Sequence, residues 1–156
     1  DIVGGTAQAG SNKTSFNLTV VNYKVRTPLS GTNFVPFLNN TYIKKSNTSN
    51  LLLRVTSNLY SVSTTGAAAG QMRTTVAGVD YIVVTANSDP AESKPAANGS
   101  FLISGLPAGS IPWAISFGRG DSLLWQSVIN PSSVDASYMP SSGTNTMLEI
   151  SELEPV

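Results

Sequence analysis

The chain has no cysteine and no histidine among its 156 residues. The first absence removes disulfides, thiolate nucleophiles and cysteine-ligated zinc or iron–sulfur centres, so the fold has to hold by packing. The second removes the commonest general base, the commonest metal ligand and the usual nucleophile–base triads. Charge is scarce too: nine basic and nine acidic side chains cancel, and charged residues make up 12% of the chain. Such a composition lacks the field with which proteins neutralise phosphate, which argues against nucleic acid as a partner. No apolar run approaches the ~20 residues of a membrane-spanning helix, so membrane insertion is not expected. The opening DIVGGTAQAG lacks a signal peptide's basic head and apolar centre, and it lacks an initiator methionine; a processed or excerpted chain is expected.

What the chain has in abundance is Ser, Thr, Asn, Gly and Pro, with short apolar runs recurring between them. That texture predicts an all-β fold and no long helix. The clearest strand is IPWAISF, which places Ile111, Trp113, Ile115 and Phe117 on one face and Pro112, Ala114 and Ser116 on the other. The same alternation predicts strands in SFNLTV (Phe16, Leu18 and Val20 inward), NLLLRVTS (Leu51, Leu53, Val55), YIVVTA and SFLISGL (Phe101, Ile103). It also predicts one in NTMLEISE, with Leu148 and Ile150 inward and Glu149 and Ser151 outward. NFVPFL, QMRTTV and SLLWQSVI are weaker runs. Eight or nine strands suffice for two packed antiparallel sheets. NYKVRTPLSGTN, KKSNTSN, STTGAAAG, NSDPAESKPAANGS, LPAG and NPSSVDASYMPSSGTN read as connections, and Asn98-Gly99 as a hairpin or loop signal.

The length fits one domain. Residues 1–13 have small side chains with Ile2 and Val3 as their apolar anchors, and are expected to form an extended arm against a neighbouring subunit, followed by a single domain over 14–156. Asn87 to Asn98 reads as a long loop within that domain.

No catalytic, metal or cofactor site is expected. Asp80, Asp89, Glu92, Asp121, Asp135, Glu149, Glu152 and Glu154 show no spacing that singles out a pair for glycosidase-type chemistry, and solvated charge is the ordinary explanation for each. No DxDxDG-like run supports calcium. Acceptor-type triplets begin at Asn12, Asn17, Asn39, Asn47 and Asn98; so much Asn, Ser and Thr gives roughly three by chance, and the triplets do not establish secretion. Trp113 alternates like a core residue. Trp125 shares a face with Leu123 while Leu124 and Val128 occupy the other, a pattern of double burial or of contact with another subunit. Gly118-Arg119-Gly120-Asp121-Ser122 reads as the tight turn of a hairpin between two apolar strands, and that explanation outweighs adhesion-receptor recognition of Arg119-Gly120-Asp121.

The order of pieces carries a resemblance. FVPFLNNTYIKKSNTSNLLLRVTSNLYSV, then GQMRTTVAGVDYIVV, GSFLISGLPAGSIPWAISF and finally GTNTMLEISELEP resemble phage virion and tail-fibre jelly-roll domains, similar in topology to the C1q and tumour-necrosis-factor fold. The matching positions are Ser46, Asn47, Asn50, Leu52, Leu53, Glu149 and Ile150. The resemblance implies a two-sheet jelly-roll sandwich assembled as a homotrimer on the surface of a virion, without enzymatic activity or cofactor. It implies a capsid decoration (cement) protein bound to the major capsid protein or other virion proteins. The alternatives are the receptor-binding tip of a tail fibre recognising a host surface glycan or protein, and a cellular sugar-binding module. Candidate partner contacts are Ile2, Val3, Arg119, Asp121, Trp125 and Tyr138.

Overall fold

The computed structural model describes residues 14–62, 70–85, 92–93, 96–119 and 122–155. Among them are ten strands of five residues or more and one of two, with no helix. In chain order they are β1 (Phe16–Tyr23), β2 (Thr27–Gly31), β3 (Val35–Lys44), β4 (Asn50–Val62), β5 (Gly70–Val76) and β6 (Val79–Thr85). There follow β7 (Glu92–Ser93), β8 (Ala96–Ile103), β9 (Gly109–Gly118), β10 (Trp125–Ile129) and β11 (Thr146–Leu153). All pairings are antiparallel.

One sheet has the order β3-β9-β5-β6. The other is organised by the thirteen-residue strand β4, which pairs with β11 over its first half (Leu153↔Asn50 to Met147↔Thr56) and with β10 over its second (Ile129↔Leu59 to Gln126↔Val62). β1 pairs with β11, and β2 with β10. Tyr23, ending β1, and Thr27, starting β2, share a hydroxyl hydrogen bond of 2.7 Å, so β10 and β11 must lie end to end on the same edge of β4. β8 and β7 pair with the opposite edge. The described strands therefore form eight ribbons, three of them made of two strands each: β1/β2, β10/β11 and β8/β7 flank or neighbour the continuous β4. Numbered along the chain, the ribbons run 1-8-3-6 in this sheet and 2-7-4-5 in the other. That is the double Greek-key order of a jelly roll, the fold expected above.

Alternation fills the space between the sheets. Leu51, Leu53, Val55, Ile111, Trp113, Ile115, Phe117, Leu148 and Ile150 are all buried, in the phase the sequence predicts. The β5–β6 connection is a two-residue turn in which Ala77 and Gly78 both have positive φ (49° and 83°), the type I′ geometry that matches strand twist. Alanine is strained there, since a left-handed L-residue costs roughly 1–2 kcal/mol. Ala77→Asn, which supplies a side chain tolerant of that region, is expected to stabilise the fold by about 0.5–1 kcal/mol in urea denaturation.

Several expectations are corrected. Leu18 and Val20 face outward, because Asn17 adopts a left-handed conformation (φ 55°) and the β1–β11 register slips between Ile150 and Glu152; the extra residue flips every later side chain. Thr27–Gly31, read as connection, is strand β2, and tolerates Pro28 because it is the edge of its sheet. Asn98-Gly99 is not a turn. It lies inside β8, opposite Thr56 and Val55, so β8 also takes the last part of the expected 87–98 loop. The glycine answers a packing need: a Cβ there would sit 2.5 Å from Val83 Cγ2 and 2.9 Å from Phe101 Cε2. Gly99→Ala is expected to cost about 1–3 kcal/mol by overpacking, read from the denaturation midpoint; an unchanged midpoint would show that the sheets can part there freely.

β9 and β10 likewise do not pair as a hairpin, and Gly120 and Asp121 of the expected turn lie outside the described residues. β9 pairs with β3 and β5 in one sheet while β10 pairs with β2 and β4 in the other, so the chain crosses between layers. Leu123 and Leu124 precede the strand and are exposed.

Candidate functional site

Three constructions stand out from the residues upward. The first is a polar plug at one end of the sandwich. Glu152 continues the inward phase of Leu148 and Ile150, opposite Leu51, and is completely buried. Its carboxylate accepts hydrogen bonds from Asn17 Nδ2 (2.5 Å), Ser49 Oγ (2.7 Å), the Lys45 amide (2.8 Å) and the Ser46 amide (3.0 Å). Burial alone would push this carboxyl upward; the bonds from Ser49, the Lys45 amide, Asn17 and the Ser46 amide outweigh it and hold the group at about 2. Beside it the Tyr42 hydroxyl, which donates to Asn17 O at 2.6 Å, is raised by burial and then by the Glu152 charge. Buried Lys44 donates to Ser46 O, and Glu154 accepts from Ser46 Oγ (2.9 Å) and Thr48 Oγ1 (2.7 Å). A carboxylate so saturated with donors stays ionised at neutral pH. It ties the β3–β4 turn and the β1 bulge to β11, and this is structural work rather than proton transfer.

The second construction is the excursion 130–145, which leaves the sheet where β10 ends and returns where β11 begins. Asn130, left-handed (φ 59°) and buried, donates through Nδ2 to the carbonyls of Tyr23 (2.9 Å) and Val25 (3.1 Å), and its Oδ1 accepts from Thr146 Oγ1 (2.8 Å). Arg26 grips Asp135 with Nε at 2.9 Å and Nη2 at 2.6 Å, while Asp135 also accepts the Ser132 amide at 2.9 Å. The Arg26 bond holds the Asp135 carboxyl below the usual carboxylate range despite partial burial. The loop thus presents Val134 and Tyr138 to solvent from a fixed base.

The third is the outer face of the β4 sheet. Leu52 registers with Ser151 on one side and Leu102 on the other, and Leu18 lines the same shallow cleft as Leu52 and Ser151. A row of three leucines, interrupted by Ser151 between Leu18 and Leu52, therefore crosses the sheet, with Leu18 62% and Leu102 58% exposed. The adjacent row holds Val20, Glu149 and Arg54, the last two 3.9 Å apart.

The sequence-derived contacts are not brought together. Ile2, Val3 and Asp121 lie outside the described residues, as does the 1–13 arm. Trp125 is 4% exposed, its indole N–H donating to Asn33 O at 3.1 Å and its ring meeting Phe117 edge-on at 5.4 Å. Arg119 is buried at 8% exposure, and Tyr138 is exposed in the excursion. The expectation of solvated carboxylates fails at Glu152 and at the largely buried Asp135 side chain. Of the acceptor-type asparagines, Asn17 is engaged with Ile43 O and Glu152. Among the described residues no cluster of three or more His, Cys, Asp or Glu side chains is placed to hold a metal ion. Sequence reasoning missed Glu152, although its signal was present: period two from Leu148 and Ile150 carries a carboxylate onto the core face.

No protein-family model matches the chain, and no curated protein matches it either. Solved structures similar in chain trace include two of infectious bursal disease virus. One is that of infectious bursal disease virus, Gx strain, at 12% identity and a TM-score of 0.42, covering 99% of this chain and 46% of that one. The other is a mutant VP2 protein of infectious bursal disease virus in derived T=1 particles, at 11% identity and a TM-score of 0.37, covering 92% and 41%. The chain spans less than half the length of either.

Proposed function

We propose that the chain is a non-enzymatic structural domain of a virus particle, of the bacteriophage type, that binds the outer shell as a trimeric decoration protein. Function has to be argued from surfaces, since the jelly roll also serves lectins and other roles. The observation that carries the reading is the row holding Leu18, Leu52 and Leu102, three apolar side chains on one outward sheet face, broken by Ser151 and lying beside the Glu149–Arg54 pair. Large apolar side chains exposed on an outward sheet face are the kind of surface that marks contact with another protein. Copies packed about a threefold axis would bury it, and assembly would add to the stability of a core that has no disulfide. The sequence resemblance to virion jelly rolls supports the same reading.

The tail-fibre alternative draws on a different observation, the excursion held by Arg26 and Asp135 with Tyr138 and Val134 outward, which suits a preorganised receptor contact. Light scattering tests the assembly: a trimer has three times the 16.3 kDa chain mass, and Leu18→Asp with Leu102→Asp is expected to return it to monomer. A monomer at every concentration would refute it. Electron microscopy of intact particles then distinguishes shell from fibre.

A further inference from the structure

The outer face of the same sheet carries a second feature away from the leucine row, a groove of about 280 Å³ over β2, β10 and β4. Tyr60 registers with Val128, and Val128 with Pro28, so a ring, an aliphatic side chain and a pyrrolidine form one row across three adjacent strands. Two residues along, Gln126 registers with Ser30 to make a polar pair over β10 and β2, with Val62 at the register position on β4. That these five side chains point outward follows from their neighbours: Leu59, Ser127 and Ile129 are buried, and Leu29 packs against the core.

We infer that this groove binds a single neutral pyranose ring, the apolar row taking the sugar's C–H face and Ser30 and Gln126 its ring hydroxyls. Strands ~4.8 Å apart make the apolar row ~10 Å wide, and a two-residue step puts the polar pair ~7 Å away. A hexopyranose has the same division, an apolar face bordered by hydroxyls. Gln126 offers both a donor and an acceptor and Ser30 a hydroxyl that is either, which matches the mixed needs of a sugar hydroxyl. The described lining holds no charged side chain, so the groove favours a neutral saccharide over a sialylated or phosphorylated one. Its volume lies at the small end of ligand sites, which fits one ring and not an extended chain. The proposal assigns sugar contact to residues other than Trp125, Arg119 or Tyr138, and it does not depend on where in a particle the domain sits.

The test is a titration of the isotope-labelled full chain with methyl α-glucoside, methyl α-mannoside, methyl β-galactoside and N-acetylglucosamine, followed by amide NMR. Saturable shifts with at least one sugar are expected at residues 28–30, 60 and 126–128, in the millimolar range. Gln126→Ala, at an exposed position, is expected to weaken binding about fivefold or more, the worth of one hydrogen bond, without moving the melting temperature. Tyr60→Phe, which keeps the ring face, should bind within about twofold of the parent protein. No saturable shift up to about 50 mM of any of the four sugars overturns the inference, as do shifts elsewhere or shifts indifferent to Gln126→Ala. Sugar-independent changes at the same amides that grow with protein concentration also overturn it, since they would make the groove a protein contact.

Discussion

Glu152→Gln is expected to lower the unfolding free energy by about 3 kcal/mol or more, because hydrogen bonds to a charged group contribute roughly 1.5–3 kcal/mol each and their loss leaves buried donors unpaired. Four donors converge on this carboxylate within 3.0 Å: Asn17 Nδ2, Ser49 Oγ and the amides of Lys45 and Ser46. A glutamine of the same shape turns an N–H₂ towards donors that need an acceptor. The pH dependence separates lost charge from altered shape. With the folded carboxyl held at about 2 against an ordinary 4.5, the folded state binds its proton later than the unfolded chain does. Its contribution is complete above the unfolded value and is lost as pH falls from 4.5 through about 2. Asp135, also lowered by its Arg26 partner, acts in the same direction. Urea titrations should therefore show an acid limb in the parent protein that is distinctly shallower in Glu152→Gln. A loss under about 1 kcal/mol, or identical acid limbs, would mean that water reaches the plug and replaces the carboxylate's bonds.

Trp125→Ala should destabilise by about 3–5 kcal/mol, the range for deleting a large buried aromatic side chain. The indole belongs to β10 in one sheet, its T-shaped partner Phe117 to β9 in the other, and its N–H acceptor Asn33 to the β2–β3 connection. Removing it opens a cavity between the layers and leaves the Asn33 carbonyl unpaired. Trp125→Phe keeps most of the volume and loses the hydrogen bond, so an intermediate loss is expected. A thermal melt decides: a tryptophan serving chiefly as a partner contact would leave the isolated domain's melting temperature unmoved. The two substitutions lie at separate places in the fold, so their effects should add.

The legibility of the chain follows from how local each signal is. Ile111, Trp113, Ile115 and Phe117 could be phased from seven residues, because a regular strand alternates sides whatever its neighbours do. The phase of Phe16, Leu18 and Val20 could not, since a single left-handed asparagine opposite a register slip reverses it. Asn98-Gly99 carried a turn signature with a different cause; the glycine makes room for Val83 from the facing sheet, a neighbour no local pattern reveals. Arg119 and Trp125 were candidate partner contacts, yet both are buried, Trp125 against Phe117 of the facing sheet and Asn33, neighbours distant in the chain or in the other layer. The excursion 130–145 was legible as loop, while its capture by Arg26, more than a hundred residues earlier, was not.

By itself the amino-acid sequence determined the all-β class, the two-sheet sandwich, the strands with unbroken period two and the exclusion of cysteine and histidine chemistry, because composition and alternation act over a few residues. The tertiary structure alone decided the order of the ribbons, which carboxylate would be sealed from water at Glu152, and which outward rows would meet as a leucine stripe and a sugar-sized groove. These depend on register between segments distant in the chain, where a shift of one residue exchanges inside for outside.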